Sequence, residues 1–152
     1  MNDFPVPPIM PHLVCKGAAE AIAFYAEAFG ATELMRLPGP DGRLVHAALS
    51  LNGGIVMLVD EFPEMCNVSP LTLKGTAVTL HLVVPNVDAF TARAVSAGAK
   101  VIMPVADQFW GDRYGLVEDP FGHRWSIATP GKPMTPDEIQ AAMQAAMPGS
   151  CG

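Results

Sequence analysis

Charged residues and cysteines are both scarce in this chain. Charged residues make up 16% of the 152 positions and hydrophobic residues 50%, which excludes an intrinsically disordered protein and predicts one domain or two small fused halves with a packed core. The three cysteines, Cys15, Cys66 and Cys151, are odd in number and far apart, which argues against a disulfide framework or a zinc knuckle. We therefore expect a cytoplasmic protein in which Cys15 is buried and Cys151 is a free thiol.

Basic clusters and long apolar runs are also absent. Nine basic residues against fifteen acidic ones give a net charge of −6 without a Lys/Arg cluster, which argues against nucleic acids and anionic membranes as partners. The apolar stretches are interrupted well short of a membrane span, and the first residues, MNDFPVPP, lack the features of a secretory signal. No Gly-rich phosphate loop, Gly-x-Ser-x-Gly elbow or Cys-x-x-Cys pair occurs.

The chain does contain an internal repeat. Residues 10–31 and residues 79–99 both pass through His-Leu-Val into an alanine-rich pattern and end at Gly-Ala. His12 precedes Gly30 by 18 residues, and His81 precedes Gly98 by 17. This near-equality predicts two structurally equivalent modules.

The hydrophobic pattern predicts the order βαβββ in each module. Ile22, Tyr25 and Phe29 mark one stripe of a helix, Asn52-Gly53-Gly54 is a strong hairpin signal, and Asn86 is a candidate N-cap. The predicted elements of the first module are a strand at 9–14, a helix at 18–29 and strands at 32–38, 43–51 and 54–62. Those of the second are a strand at 77–85, a helix at 87–97 and strands at 99–105, 112–118 and 123–129.

Three further segments complete the chain. The predicted division is an extended arm (1–8), a first module (9–60), an aperiodic linker (61–76), a second module (77–129) and a C-terminal helix with its tail (130–152). Thr135-Pro136-Asp137-Glu138 carries the pattern of a capping box and predicts a helix over 135–147. Two alternatives remain open for this helix. It docks on the body of the protein or on a partner subunit, or it is a loosely held surface helix.

We predict an α+β fold in which two paired βαβββ modules form a curved eight-stranded sheet around a cleft, followed by a C-terminal helix. Strand alternation places Leu80 and Leu82 on the face that packs on a helix and His81 on the opposite face. Because the two modules are equivalent, His12 and His81 are then expected to face the cleft from corresponding strands.

Three motifs carry a resemblance to a known family: "AIAFYAEAFGA" (21–31), "HLVVPNVDAFTARAVSAGAKVIMPV" (81–105) and "WGDRYGLVEDPFGHRWSI" (110–127). Together with the paired βαβββ order, they resemble the vicinal oxygen chelate superfamily of glyoxalases, bleomycin-resistance proteins and extradiol dioxygenases. The resemblance covers residues 9–129 and is greatest to a glyoxalase-like branch often found beside phosphonate-metabolism genes. It implies a homodimer, in some members with exchanged modules.

The resemblance also implies where a metal would be held. In metal-dependent members the first and last strands of each module supply the ligands, and the corresponding positions are Met10, Met57, Thr79 and Ser126. None of these is a usual ligand for the divalent ions of the superfamily, so no metal and no other cofactor is predicted. His12 and His81 lie two residues farther on, which leaves open Ni, Zn, Mn or Fe at a shifted site.

We therefore predict a glyoxalase/bleomycin-resistance-like protein that binds a small, partly aromatic or dicarbonyl molecule in its cleft. The predicted ligand-binding residues are Met10, His12, Met57, Thr79, His81, Trp110, Tyr114, Arg124 and Ser126. The alternative is a metal-dependent lyase, isomerase or dioxygenase that uses His12 and His81 as catalytic residues. A third hypothesis is an interaction protein that uses the 135–147 helix.

The remaining polar residues have structural interpretations. The face occupied by His46 is undecided, because both sides of its strand are apolar, and His123 is predicted to be exposed or structural. Asp119 is expected to support the turn DPFG with its side chain. Asp107, Asp112 and Arg113 are predicted to form an ion pair that fixes the loop beside Trp110.

Overall fold

The computed structural model describes residues 6–147, so residues 1–5 of the predicted arm, Cys151 and the rest of the tail lie outside it. The first module comprises β1 (His12–Cys15), α1 (Ala18–Phe29), β2 (Thr32–Pro38), β3 (Leu44–Leu51) and β4 (Gly54–Asp60). The second comprises β5 (Thr79–Val83), α3 (Val87–Ala97), β6 (Lys100–Asp107), β7 (Arg113–Glu118) and β8 (Arg124–Thr129). Between them lies α2 (Pro70–Leu73), and α4 (Pro136–Ala146) follows them. The predicted α+β fold with paired βαβββ modules and a C-terminal helix is confirmed.

The strands form two four-stranded sheets of equivalent topology, in the orders β1-β4-β3-β2 and β5-β8-β7-β6. In each sheet the first strand of the module runs parallel to the last, and the other neighbours are antiparallel. The pairing places His12 opposite Met57 and His81 opposite Ser126. Within residues 6–147 no strand pairing joins the two sheets, so the eight predicted strands form two four-stranded sheets, one in each module, and not one continuous eight-stranded sheet.

The β3–β4 hairpin and helix α1 follow from local sequence signals. Asn52 and Gly53 have φ values of 50° and 82°, as a two-residue turn with both central residues left-handed requires. At the start of α1, the Asp60 carboxylate accepts hydrogen bonds from the N–H groups of Gly17 (3.2 Å) and Ala18 (2.8 Å). An anionic acceptor at this position stabilises the unpaired amides of the first turn.

The modules are joined through their helices. The Phe29 ring of α1 stacks on Phe90 of α3, with 5.5 Å between centroids, and lies 4.9 Å from the Trp125 ring of β8. The Arg93 Nε of α3 donates to the carbonyl oxygen of Glu27 at 2.7 Å, which satisfies an unpaired carbonyl at the end of α1. The helices therefore cover the buried face of each sheet and bind the halves together.

A buried carboxylate forms a second connection between the modules. Asp119 is 4% exposed, and its Oδ1 accepts from the backbone N–H groups of Phe121 (2.9 Å) and His123 (3.0 Å), which confirms its predicted role in the turn. Its Oδ2 also accepts from Trp125 Nε1 (2.9 Å) and from the Tyr25 hydroxyl of α1 (2.5 Å). Burial and the negative charge of Asp119 raise the pKa of Tyr25 well above its ordinary value.

Of the two alternatives predicted for His123, exposed or structural, the structure shows the structural one. Its ring is buried, and Nε2 donates to the carbonyl oxygen of Val14 in β1 at 2.9 Å, across the module boundary. Cys15 is fully buried, as predicted, and burial raises the pKa of its thiol.

The segment 61–76 is more ordered than its aperiodic pattern predicted. It contains a 3₁₀ turn at Pro63–Met65 and the short helix α2, in which the Ser69 hydroxyl accepts from the N–H of Thr72 at 3.4 Å. Ser69-Pro70 is an N-cap followed by proline at the first helical position, a signal that periodicity alone does not register.

The C-terminal helix begins as predicted. Thr135 Oγ1 accepts from the N–H of Glu138 (3.2 Å), and Glu138 Oε2 accepts from the N–H of Thr135 (3.1 Å). None of the residues of α4 is buried. Within residues 6–147, no helix combines the length and the apolar character needed to cross a bilayer.

The Tyr25–Asp119 hydrogen bond predicts that removing the Tyr25 hydroxyl destabilises the protein more than removing the Tyr114 hydroxyl. Tyr25→Phe should lower the free energy of unfolding by about 1.5–3 kcal/mol, because it removes a buried hydrogen bond to a charged acceptor. The matched control Tyr114→Phe should change it by less than about 0.5 kcal/mol, since the Tyr114 ring is half-buried and its hydroxyl makes no hydrogen bond among the described residues. Urea unfolding monitored by circular dichroism measures both, and equal effects would contradict the role assigned to Asp119.

Candidate functional site

Each sheet has one face packed on the helices and one open face. Leu13 and Leu82 are buried beneath the helices, whereas His12 and His81, the next residues back along each strand, are exposed. The predicted site residues lie on or beside the open faces, divided between the two sheets. The first open face carries Met10, His12, His46 and Met57, and the second carries Thr79, His81, Tyr114, Arg124 and Ser126 with Trp110 at its edge.

The first open face contains an apolar cavity of about 300 Å³. Met10, Met35 and Met57 contribute three flexible thioether side chains to its wall, and His46 contributes the imidazole. Methionine surface of this kind adapts to ligands of different shapes. The cavity therefore suits an apolar group better than a charged one.

Two histidines meet on the first open face. The rings of His12 and His46 lie edge to face, with 5.9 Å between centroids. Burial, and secondarily the nearby positive charge of His46, lower the pKa of His12. His12 is consequently neutral at pH 7 and can accept a proton there. The sequence left the face of His46 undecided because the residues beside it in β3, Val45 and Ala47, are apolar too.

The second open face carries a row of rings. His81 Nδ1 is hydrogen-bonded to Ser126 Oγ at 2.7 Å, and its ring stacks on Tyr114 with 6.1 Å between centroids. Tyr114 in turn meets the Trp110 ring edge-on at 5.4 Å, and Trp110 meets Phe109 at 5.0 Å. We call these four rings the aromatic row. Phe109 was not predicted as a site residue, although it precedes Trp110 directly in the sequence.

An ion-pair network fixes the loop that carries the aromatic row. Arg113 Nε lies 2.7 Å from Asp88 Oδ2 at the start of α3, and Arg113 Nη1 lies 3.1 Å from Asp107 Oδ1. The predicted pairing with Asp107 is thus present, Asp88 is an addition, and Asp112 makes no ion pair with Arg113 within the described part of the chain. These contacts hold the ends of the loop and give Arg113 a structural role.

The four positions implied for metal ligands do not fit a hard divalent ion. Met10 and Met57 contribute thioethers to an apolar cavity, and the Ser126 hydroxyl is engaged by His81. Between residues 6 and 147, no three His, Cys, Asp or Glu side chains come together as a metal-binding group.

Among the described residues, the ring contacts of the two histidines stay within their own open faces. His12 contacts His46 and His81 contacts Tyr114, and among the described residues no hydrogen bond or ring contact links the two histidines. A cavity of about 190 Å³ is lined by residues of both modules, among them Ile55 of β4 and His81 of β5. The shared cleft of His12 and His81 therefore stays a prediction.

Comparisons of the sequence and of the fold with known proteins identify similar proteins. A family model described as the glyoxalase/bleomycin resistance protein/dioxygenase superfamily matches residues 7–127. The uncharacterized protein Mb0911c of Mycobacterium bovis is 56% identical over 140 residues, 90% of this chain and 92% of its own. The crystal structure of TioX from Micromonospora sp. ML1 matches with a TM-score of 0.63 and 29% identity, over 80% of this chain and 96% of that one. TnmS3, an antibiotic binding protein from Streptomyces sp. CB03234, matches with a TM-score of 0.61 and 26% identity, over 86% and 99%.

The histidine contact predicts the titration of His12. The pKa of His12 should lie below the ordinary value near 6.5. The free energy of unfolding should then fall as the pH drops from 6.5 toward this lowered pKa, because the unfolded state binds the proton more readily than the folded state. His46→Gln should raise the pKa of His12 only in part, since burial remains. NMR titration of the imidazole signals measures these values. Lys100→Gln, which removes a distant charge, is the control, and a pKa of His12 that stays unchanged in His46→Gln would contradict the coupling.

Proposed function

The chain belongs to the glyoxalase/bleomycin resistance protein/dioxygenase superfamily, and we propose that it binds a small, partly aromatic or dicarbonyl molecule without a protein-bound metal. The observation that carries this proposal is the aromatic row beside the His81–Ser126 hydrogen bond. Tyr114 and Trp110 offer ring surface for stacking, and His81 offers a polar group next to it. The antibiotic binding protein TnmS3, which shares the fold at 26% identity, supports this reading.

The site is completed by a second copy of the chain. The open faces leave large apolar side chains in solvent, among them Met35 (43% exposed) and Met103 (44% exposed). Apolar surface of this kind on both sheets favours association. Because the modules are equivalent by the repeat, the first open face of one protomer can lie opposite the second open face of its partner. A homodimer built in this way places the methionine-lined cavity and the aromatic row on two walls of one cleft.

An enzyme that uses His12 and His81 is the competing function. The lowered pKa of His12 favours it, since a neutral imidazole can act as a general base at pH 7. The same dimer would bring His12 and the partner's His81 to one cleft. Product formation from catechol or a methylglyoxal–thiol adduct, lost in His12→Ala, would establish catalysis in place of simple binding.

Ligand binding should depend on Trp110. We expect bleomycin, catechol or phenylglyoxal to raise the melting temperature of protein purified without chelator, and Trp110→Ala to weaken binding roughly threefold to tenfold through lost stacking. Leu73→Ala, which removes an exposed apolar side chain of α2, is the control.

The same protein preparation tests the absence of a metal. We expect metal analysis by mass spectrometry to find well under one divalent ion per chain, with binding unaffected by EDTA. One tightly held ion per cleft, or loss of binding in EDTA, would contradict the metal-independent proposal.

The dimer should depend on the first open face. Met35→Glu should shift the protein from dimer to monomer in analytical ultracentrifugation, because it places a charge on an apolar interface. Met65→Glu adds the same charge at a residue that is 74% exposed in the 3₁₀ turn and should leave the dimer intact. A monomeric wild-type protein, or equal effects of the two substitutions, would refute this assembly.

A further inference from the structure

A separate polar cavity lies at the far end of the second open face. We infer that it is a subsite for an anionic group, a carboxylate or a phosphate, and that Lys74 and Arg124 form it. The cavity has a volume of about 220 Å³ and lies between α2 and the β7–β8 turn. This inference deepens the proposed function, because it states which chemical group the ligand carries beside its ring.

Arg124 differs from the other arginines in how few hydrogen bonds it makes. The other four, Arg36, Arg43, Arg93 and Arg113, each direct at least two guanidinium nitrogens to carboxylate or carbonyl oxygens. Arg124 makes one such contact, from Nε to Glu118 Oε2 at 3.3 Å. Within residues 6–147 its two terminal nitrogens have no hydrogen-bond partner, so a planar fork of donors is left for a ligand.

The charge of the cavity favours an anion. Lys74 and Arg124 contribute two positive charges to its lining, and Glu118 contributes one negative charge. The lining therefore has a net charge of one positive unit, whereas the whole chain has a net charge of −6. Thr76 also lines this wall, and its hydroxyl is paired with the backbone of Val78, accepting from the N–H at 3.2 Å and donating to the carbonyl oxygen at 3.5 Å. A guanidinium fork beside an ammonium group is a suitable combination for carboxylate or phosphate oxygens.

The sheet register places this subsite in line with the aromatic row. Arg124 lies opposite Thr79, on the same face of the sheet as Ser126 two residues farther along β8. Tyr114 of the aromatic row lies opposite Ala128, four residues from Arg124. At about 3.3 Å per residue, these two strand positions are separated by about 13 Å. The ligand we infer is therefore elongated, with a ring at one end and an acidic group at the other.

Two small probes separate the acid from the ring. We expect 6-phenylhexanoate to bind roughly tenfold more tightly than its neutral amide, 6-phenylhexanamide, in isothermal titration calorimetry at low salt. Arg124→Gln and Lys74→Gln should each reduce this preference, and Glu118→Gln should increase it, because it removes a competing carboxylate. Arg36→Gln, a surface arginine paired with Glu33, is the matched control and should leave the preference unchanged. Equal binding of acid and amide to the wild-type protein would overturn the subsite.

Inorganic phosphate provides a test that does not depend on the aromatic row. Phosphate should raise the melting temperature of the wild-type protein and of Trp110→Ala equally, and it should have a clearly smaller effect on Arg124→Gln. If phosphate acts in this manner while neither phenyl compound binds, the subsite holds and the proposed aromatic ligand is wrong. A phosphate effect that is the same in Arg124→Gln as in wild type would refute the subsite, provided that circular dichroism shows both to be folded.

Discussion

The structure depends on one buried carboxylate. Asp119 lies in the β7–β8 turn and accepts four hydrogen bonds, two from the backbone of its own turn and two from the Tyr25 and Trp125 side chains. A buried charge without partners would cost several kcal/mol, so these four donors and the carboxylate require one another. Because Tyr25 belongs to the first module, the requirement can be met only when the two modules are packed together.

The aromatic cluster around this carboxylate explains which faces remain free. Tyr25 and Phe29 of α1 turn toward Trp125 and Phe121, so the helix buries rings from both halves. The helix-packed face of each sheet is used up in this way. The opposite faces keep His12 and His81 in solvent, together with the exposed Met35 and Met103. We therefore expect the functional site on the open faces, which are not buried against the helices.

Much of the fold could be predicted because its signals are local. The stripe of Ile22, Tyr25 and Phe29 and the Gly30 stop gave the helix Ala18–Phe29, and the Thr135 capping box gave the start of α4. The candidate site was harder, because its contacts join residues that are distant in the sequence. His46 and His12, for example, are neighbours only through the β3–β4–β1 register, and the sequence offered no reason to prefer one face of β3 for His46.

The sequence by itself determined the repeat, the alternation that exposes His12 and His81, and the residues at the four positions implied for metal ligands, since these depend on spacing alone. The tertiary structure decided what each polar group contacts. It paired His81 with Ser126, gave Asp119 four donors and left the terminal nitrogens of Arg124 without a protein partner among the described residues. The reason is physical: hydrogen bonds and burial depend on distances across the fold, and only packing of the modules sets those distances.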